Sequence, residues 1–227
     1  MKKNIKIVLV FMLFLLFIAG TSVFYAGVVH EVSRKLNGIT IVLDAGHGAR
    51  DGGSVGQNGT VEKDINLNYT LALRDKLIKN GYKVVLTRSN DEPLYSQTAS
   101  NKKLNEMQTR LNVIKRANPN LVISIHMNSF PSSNVSGANT YYRKDDESGK
   151  TIANYIQSRF HDTCNAPNEN AKIGDYFLLN SSYYTCVLIE CGFLSNPEEE
   201  RRLNTNEYKD KIINAIYDGI FLYFGNS

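Results

Sequence analysis

Short runs of β-branched apolar residues alternate along this chain with stretches of helical periodicity, and few architectures accept that alternation. Ile39-Thr40-Ile41-Val42-Leu43 is apolar or β-branched throughout, as a strand covered on both faces must be. From about Val61 to Asn80 the period changes. Ile65, Tyr69, Ala72, Leu73 and Leu77 fall on one helical face, and Gly81 stands where a helix cap belongs. Tyr82–Leu86 predicts a second strand, and the polar residues 89–101 a loop. Leu104, Met107, Leu111 and Ile114 predict a helix that Asn118-Pro119 stops. Leu121–Ile125 predicts a third strand, with Ala138–Tyr142 pairing beside it. Ile152, Tyr155, Ile156 and Phe160 mark another helix, and residues 164–174 a loop. Tyr176–Leu179 and Cys186–Ile189 predict strands. Asn196-Pro197 followed by three glutamates opens a helix, with the acids over its positive dipole end. A last helix carries Tyr208, Ile212, Ala215, Ile216, Gly219, Ile220 and Tyr223 along one stripe. The fold class expected is α/β: a three-layer sandwich whose mixed, mostly parallel sheet of about six strands is flanked by helices.

The N-terminus follows different rules. Lys2, Lys3 and Lys6 precede Ile7–Val29, 23 residues without a charge, where roughly 20 suffice to cross a bilayer core. Residues 1–30 are expected to be a signal or membrane anchor, and 31–227 one catalytic domain. Two readings stay open: an uncleaved anchor, or a signal peptide, for which no clean A-x-A site follows. Both export the domain, because basic residues are retained on the cytoplasmic side. The 26 Lys+Arg and 22 Asp+Glu give +4, yet three of those positive charges lie in this segment. The remainder is nearly neutral, with no basic stripe to suggest a nucleic-acid partner.

Three cysteines, Cys164, Cys186 and Cys191, do not make a disulfide framework. Five residues of strand separate the last two by roughly 16 Å, and a disulfide needs Cα atoms within about 7 Å.

Sites in such sheets form at the carboxyl ends of strands, and the chemistry-bearing residues cluster there. The first strand ends in Asp44-Ala45-Gly46-His47-Gly48, the third in His126-Met127-Asn128, and the last in Glu190-Cys191-Gly192. Glu62 begins the helix after a loop holding six of the 16 glycines. Two imidazoles and a carboxylate can bind one catalytic zinc and leave a position for water, while a second carboxylate moves protons. A phosphate cradle fits less well: the glycine loop departs from G-x-G-x-x-G and no G-K-[ST] exists. Cys191 lacks the helix N-terminus or adjacent cation that activates a thiol. His161 is expected at a helix end, His30 beside the membrane segment, and Arg110 with Glu106 in an i,i+4 surface pair.

With those residues in view, positions 39–224 resemble the catalytic domain of zinc-dependent N-acetylmuramoyl-L-alanine amidases of the amidase-3 type. Asp44-Ala45-Gly46-His47-Gly48 is similar to the family's D-P-G-H-G opening, with Ala45 in place of Pro. Glu62, Leu86-Thr87-Arg88, Arg110 with Ala117-Asn118, Ser124–Asn128 and Glu190–Asn196 match further landmarks in order. The resemblance implies that His47, Glu62 and His126 bind one zinc ion and that Glu190 is the catalytic acid/base. It implies hydrolysis of the amide between N-acetylmuramic acid and L-alanine of peptidoglycan. The minimal plan is most like the germination-specific amidases of spore formers, which prepare cortex for muramic-δ-lactam formation between the forespore membranes. Because wall-binding repeats are lacking, a partner protein is expected to localise or activate the enzyme. A wall-binding protein with a dead site, and a zinc carboxypeptidase acting on wall peptides, are the competing functions.

Overall fold

The computed structural model describes residues 38–164 and 166–225, together with Phe17, Ile18 and Thr21. The expected membrane segment lies almost wholly outside these residues, and no helix among them is long and apolar enough to cross a membrane. The elements run β1 (Thr40–Ala45), α1 (Glu62–Lys79), β2 (Lys83–Leu86), α2 (Lys102–Ala117), β3 (Leu121–Asn128), β4 (Asn139–Tyr142), α3 (Glu147–Cys164), β5 (Lys172–Ile173), α4 (Phe177–Ser181), β6 (Cys186–Phe193), α5 (Pro197–Leu203) and α6 (Asn206–Gly225).

Six strands form one sheet in the order β2-β1-β3-β6-β4-β5. All neighbours are parallel except β4 against β6. Strand alternation sorts the side chains into two cores. Ile41, Leu43, Ile123, Ile125, Val187 and Ile189 face α1, α3 and α6. Val42, Val122, Cys186 and Leu188 face Ile114 of α2 and Leu178 and Leu179 of α4. The sheet is therefore covered on both sides, which is the three-layer sandwich the alternation predicts. On the thicker side α3 and α6 pack closely because Gly219 has no side chain. A Cβ there would lie 2.6 Å from Ile156 Cγ1 and 2.8 Å from its Cα.

Three expectations need correction. Tyr176–Leu179 is not a strand: residues 177–181 are the helix α4. The run contains leucines but no β-branched residue, so nothing in it resists helix. Strand β4 pairs with β6 rather than β3. All eight residues of β6 are buried, so it takes the interior position and displaces β4 outward. Finally, a two-residue strand, Lys172–Ile173, interrupts the expected 164–174 loop. The three cysteines are free and buried, as the spacing argument requires for the last two. Asn118 ends α2 in the left-handed conformation (φ 44°), and Pro119 follows.

Candidate metal centre and cleft

The carboxyl ends of β1, β3 and β6 meet the first turn of α1 at one rim. Strand β1 aligns Asp44 with Ser124, and β3 aligns His126 with Glu190. After β1 the backbone turns sharply, with His47 and Ala49 both at positive φ (59° and 50°). Non-glycine residues pay for that conformation in strain, and it persists only where surroundings enforce it.

Two buried arginines do the enforcing. Arg88 donates to the carbonyls of Ala45 (2.9 Å), Gly46 (2.9 Å) and Lys63 (2.7 Å). Arg110 donates to the carbonyls of Ala45 (2.7 Å) and His47 (2.5 Å), and to the carboxylates of Asp44 and Glu106 (2.6 Å each). Asp44 also accepts from Thr87 and Ser124, at 2.6 Å each. Burial opposes the Asp44 charge. Arg110, Ser124 and Thr87 overcome it and hold the carboxyl at about 2. Arg110 and Glu106 thus form no surface pair: Arg110 is 2% exposed and Glu106 4%. The i,i+4 spacing is real, but the helix face turns inward to brace the β1 loop.

On that bracing sit three metal-ligating side chains. His47, Glu62 and His126 offer ligand atoms that all lie within 4.8 Å of one another. Glu62 Oε1 is 3.1 Å from His47 Nε2 and 3.1 Å from His126 Nδ1. Ser54 N–H donates to the other oxygen of Glu62 (2.8 Å), and Asn66 Nδ2 donates to Oε1 (3.2 Å). Burial opposes the Glu62 charge, but His126 and His47 hold its pKa well below the ordinary value. Asp51 Oδ1 lies 3.0 Å from His47 Nδ1, and Lys103 pairs with the same carboxylate. Although burial works the other way, Glu62 and Asp51 raise the His47 pKa above its usual value. Two glycines leave the room these side chains occupy. A Cβ on Gly46 would stand 2.3 Å from His126 Nε2, and one on Gly53 2.5 Å from Glu62 Oε2.

Two imidazole nitrogens and one carboxylate oxygen are the donor set of a catalytic zinc site. Their convergence on a small space, with Asp51 behind one imidazole, fits a single ion. Beside them Glu190 is buried, and its Oε2 has no hydrogen-bond partner among the described residues. Burial pushes its carboxyl up to about 7; His126 and His47 pull it down, and Glu62 adds to the rise. An unpartnered carboxylate near neutrality at a rim of ligands is equipped to exchange a proton.

The structure thus brings together the four residues singled out from the sequence. His161 is at the end of α3, its Nδ1 3.1 Å from the Ala166 carbonyl. Cys191 is fully buried and its thiol is pushed well above the ordinary value, which rules it out as a nucleophile. His30 lies outside the described residues. Sequence reasoning missed Asp51 and the bracing roles of Arg88 and Arg110, which it saw only as family landmarks and, for Arg110, as part of a surface pair. Asp51 is readable only as an acid four residues after His47 in a turn whose path is not predictable. It also missed the loop contacts of Glu199 and Glu200, which it placed only over a helix dipole. Glu199 accepts from Gly137 N–H (2.9 Å) and Phe193 N–H (2.9 Å). Glu200 accepts from Asn58 N–H (2.9 Å) and Thr60 N–H (3.1 Å). Each ties a loop of the rim to the start of α5.

Comparison with known proteins gives a consistent answer. The family N-acetylmuramoyl-L-alanine amidase (Amidase_3) matches residues 41–221. The germination-specific N-acetylmuramoyl-L-alanine amidase of Bacillus subtilis is 36% identical over 196 residues, covering 85% of this chain and 82% of that protein. Among solved structures, the CwlD amidase of Clostridioides difficile, in complex with the GerS lipoprotein, superposes with a TM-score of 0.80 at 38% identity. That match covers 83% of this chain and 100% of that one. The catalytic domain of CwlV, from Bacillus (Paenibacillus) polymyxa var. colistinus, gives 0.72 at 30% identity, covering 83% and 99%.

Proposed function

Because this chain belongs to the Amidase_3 family of N-acetylmuramoyl-L-alanine amidases, we propose that His47, Glu62 and His126 hold one zinc ion for that hydrolysis and that Glu190 moves the proton. The chain is a peptidoglycan hydrolase acting on the amide between N-acetylmuramic acid and L-alanine. The observation that carries the site assignment is the meeting of two imidazoles and a carboxylate within 4.8 Å, beside the unpartnered Glu190.

The roles follow from what each side chain touches. Zinc, when bound, supplies Lewis acidity and lowers the pKa of water toward neutrality. Glu62 is locked by Ser54 and Asn66, so its oxygen faces the imidazoles without searching for a rotamer. Asp51 stands 3.0 Å from the His47 nitrogen turned away from Glu62 and supports that imidazole by its charge. Glu190 takes a proton from the attacking water and returns it to the amine of the departing L-alanine.

The reading extends to setting. We infer action outside the cytoplasm, with the uncharged N-terminal run as signal or anchor. The likeness to a germination-specific relative supports a role in spore cortex. The neighbour solved with a lipoprotein supports a partner protein for this chain as well.

Mass analysis of products from purified peptidoglycan with added zinc tests the reading. Intact stem peptides are expected. Single amino acids would mean a carboxypeptidase, and no product would mean a binding protein. Glu190→Gln is expected to keep zinc and lose roughly 10²–10⁴-fold in turnover. His47→Ala and His126→Ala are expected to lower bound zinc by elemental analysis; unchanged content would sink the ligand assignment.

A further inference from the structure

Next to the metal centre, between α2 and α4, lies a cleft of about 400 Å³. His47 and His126 stand at one end, Leu104 and Met107 form one wall, and Tyr176 and Phe177 the other. Its lips are apolar and face water: Leu104 is 55% exposed and Phe177 43%. Exposed apolar side chains flanking a reaction centre mark a place where a ligand covers them.

The substrate has two arms on either side of the scissile amide. The glycan arm continues from the muramic acid in two directions and presents hydroxyls throughout. The peptide arm leaves in single file. The cleft suits the second. The polar side chains along its floor are turned to one another. Asp44 accepts from Ser124 and Arg110, and Arg110 spends its remaining donors on Glu106 and two carbonyls. Sugar hydroxyls would find few partners there. At the cleft's metal end stands an exposed cation, Lys103, which is 59% exposed at its side chain and touches Asp51. An ammonium has three donors, so it can keep Asp51 and still take a second carboxylate.

We propose that this cleft binds the peptide arm, with Leu104 and Phe177 packing on its apolar parts. Lys103 pairs with the α-carboxylate that a γ-linked glutamate leaves free at the second position. The proposal rests on the amidase reading and adds the subsite that chooses the peptide.

Two muramyl tripeptides, identical except that the glutamate α-carboxyl is free in one and amidated in the other, test it. The unaltered chain is expected to show a KM about tenfold lower for the free carboxylate, the worth of one charge-assisted contact. Lys103→Ala should remove that preference, raising KM for the free acid about tenfold more than for the amidated substrate. An equal loss on both would mean that Lys103 acts only through Asp51, and would overturn its assignment. The double variant Leu104→Ser/Phe177→Ser, checked for an unchanged melting temperature, should raise KM equally for a mono- and a tetrasaccharide carrying the same peptide. A penalty that grows with glycan length would place the glycan in the cleft and overturn the proposal. If the unaltered chain cleaves both tripeptides with the same KM, the cleft assignment fails alone. If it cleaves neither, the amidase reading fails with it.

Discussion

Glu190 and Asp44 are both carboxylates drawn inside the protein, and they are held there in opposite ways. Asp44 meets a guanidinium and two hydroxyls and stays ionised. Glu190 meets no hydrogen-bond donor at Oε2, and burial pushes it up to about 7. The difference has a measurable sign. A carboxyl whose folded pKa lies above its unfolded one favours the folded state at low pH. It loses that advantage as pH rises from about 4.5 to about 7. Glu190→Gln removes the ionisation and with it the penalty. In the metal-free protein the variant should therefore melt several degrees higher than the unaltered chain at pH 8 and at the same temperature at pH 4. Equal melting temperatures at both pH values would mean that Glu190 is not burdened by its surroundings. Its position was legible in the sequence because it follows a fully apolar run. Asp44 was legible only as part of the D-A-G-H-G string, since its partners come from three distant segments.

Among the elements, α5 does more than its seven residues suggest. Asn196 caps it by accepting from Glu198 and Glu199 N–H groups, and that much the Asn-Pro-Glu order predicts. Glu199 and Glu200 read from sequence as dipole-complementing acids, the commonest role for acids in a first turn. In the fold they face inward and accept backbone N–H groups from loops more than sixty residues away in the chain. No local pattern encodes such a contact, because the donor is backbone and has no residue identity. Helix α4 was misread for a related reason. A five-residue apolar segment carries too little periodicity to separate strand from helix. Removing the Glu200 carboxylate would leave the N–H groups of exposed Asn58 and half-buried Thr60 without their protein acceptor. Glu200→Ala is thus expected to cost about 1–2 kcal/mol in urea unfolding, since water can take up part of what the carboxylate accepted. The loop holding Gly56 and Asn58 should then exchange its amide protons faster. Unaltered exchange there would show that the loop is held by other contacts.

For the whole molecule, alternation of strand and helix was enough to predict three layers and a mostly parallel sheet. The order of strands was not readable, because pairing depends on which strand is apolar on both faces. Asp44 is one of several carboxylates, Glu62 and Asp51 among them, on which stability against acid depends. Asp44 joins β1 to β3 through Ser124, to the end of β2 through Thr87 and to α2 through Arg110. Its folded pKa of about 2 lies below its ordinary 3.8, so its contribution is complete above about pH 4 and fades as pH falls through 2. The shift corresponds to on the order of 2 kcal/mol. Urea titrations of the metal-free protein across that window should show the loss, and Asp44→Asn should make it less steep while lowering stability throughout. A slope identical in both proteins would refute the assignment. The strand order carries one more consequence, for the timing of activity. Strand β6 comes late in the chain but sits between β3 and β4, and it bears Glu190. A chain still emerging across a membrane has both imidazoles and Glu62 long before it has the strand that joins its two sheet halves. With Glu190 in the role proposed for it, a wall-cutting enzyme of this topology cannot move the proton until β6 has emerged, so β1 to β5 are delivered before cutting can start.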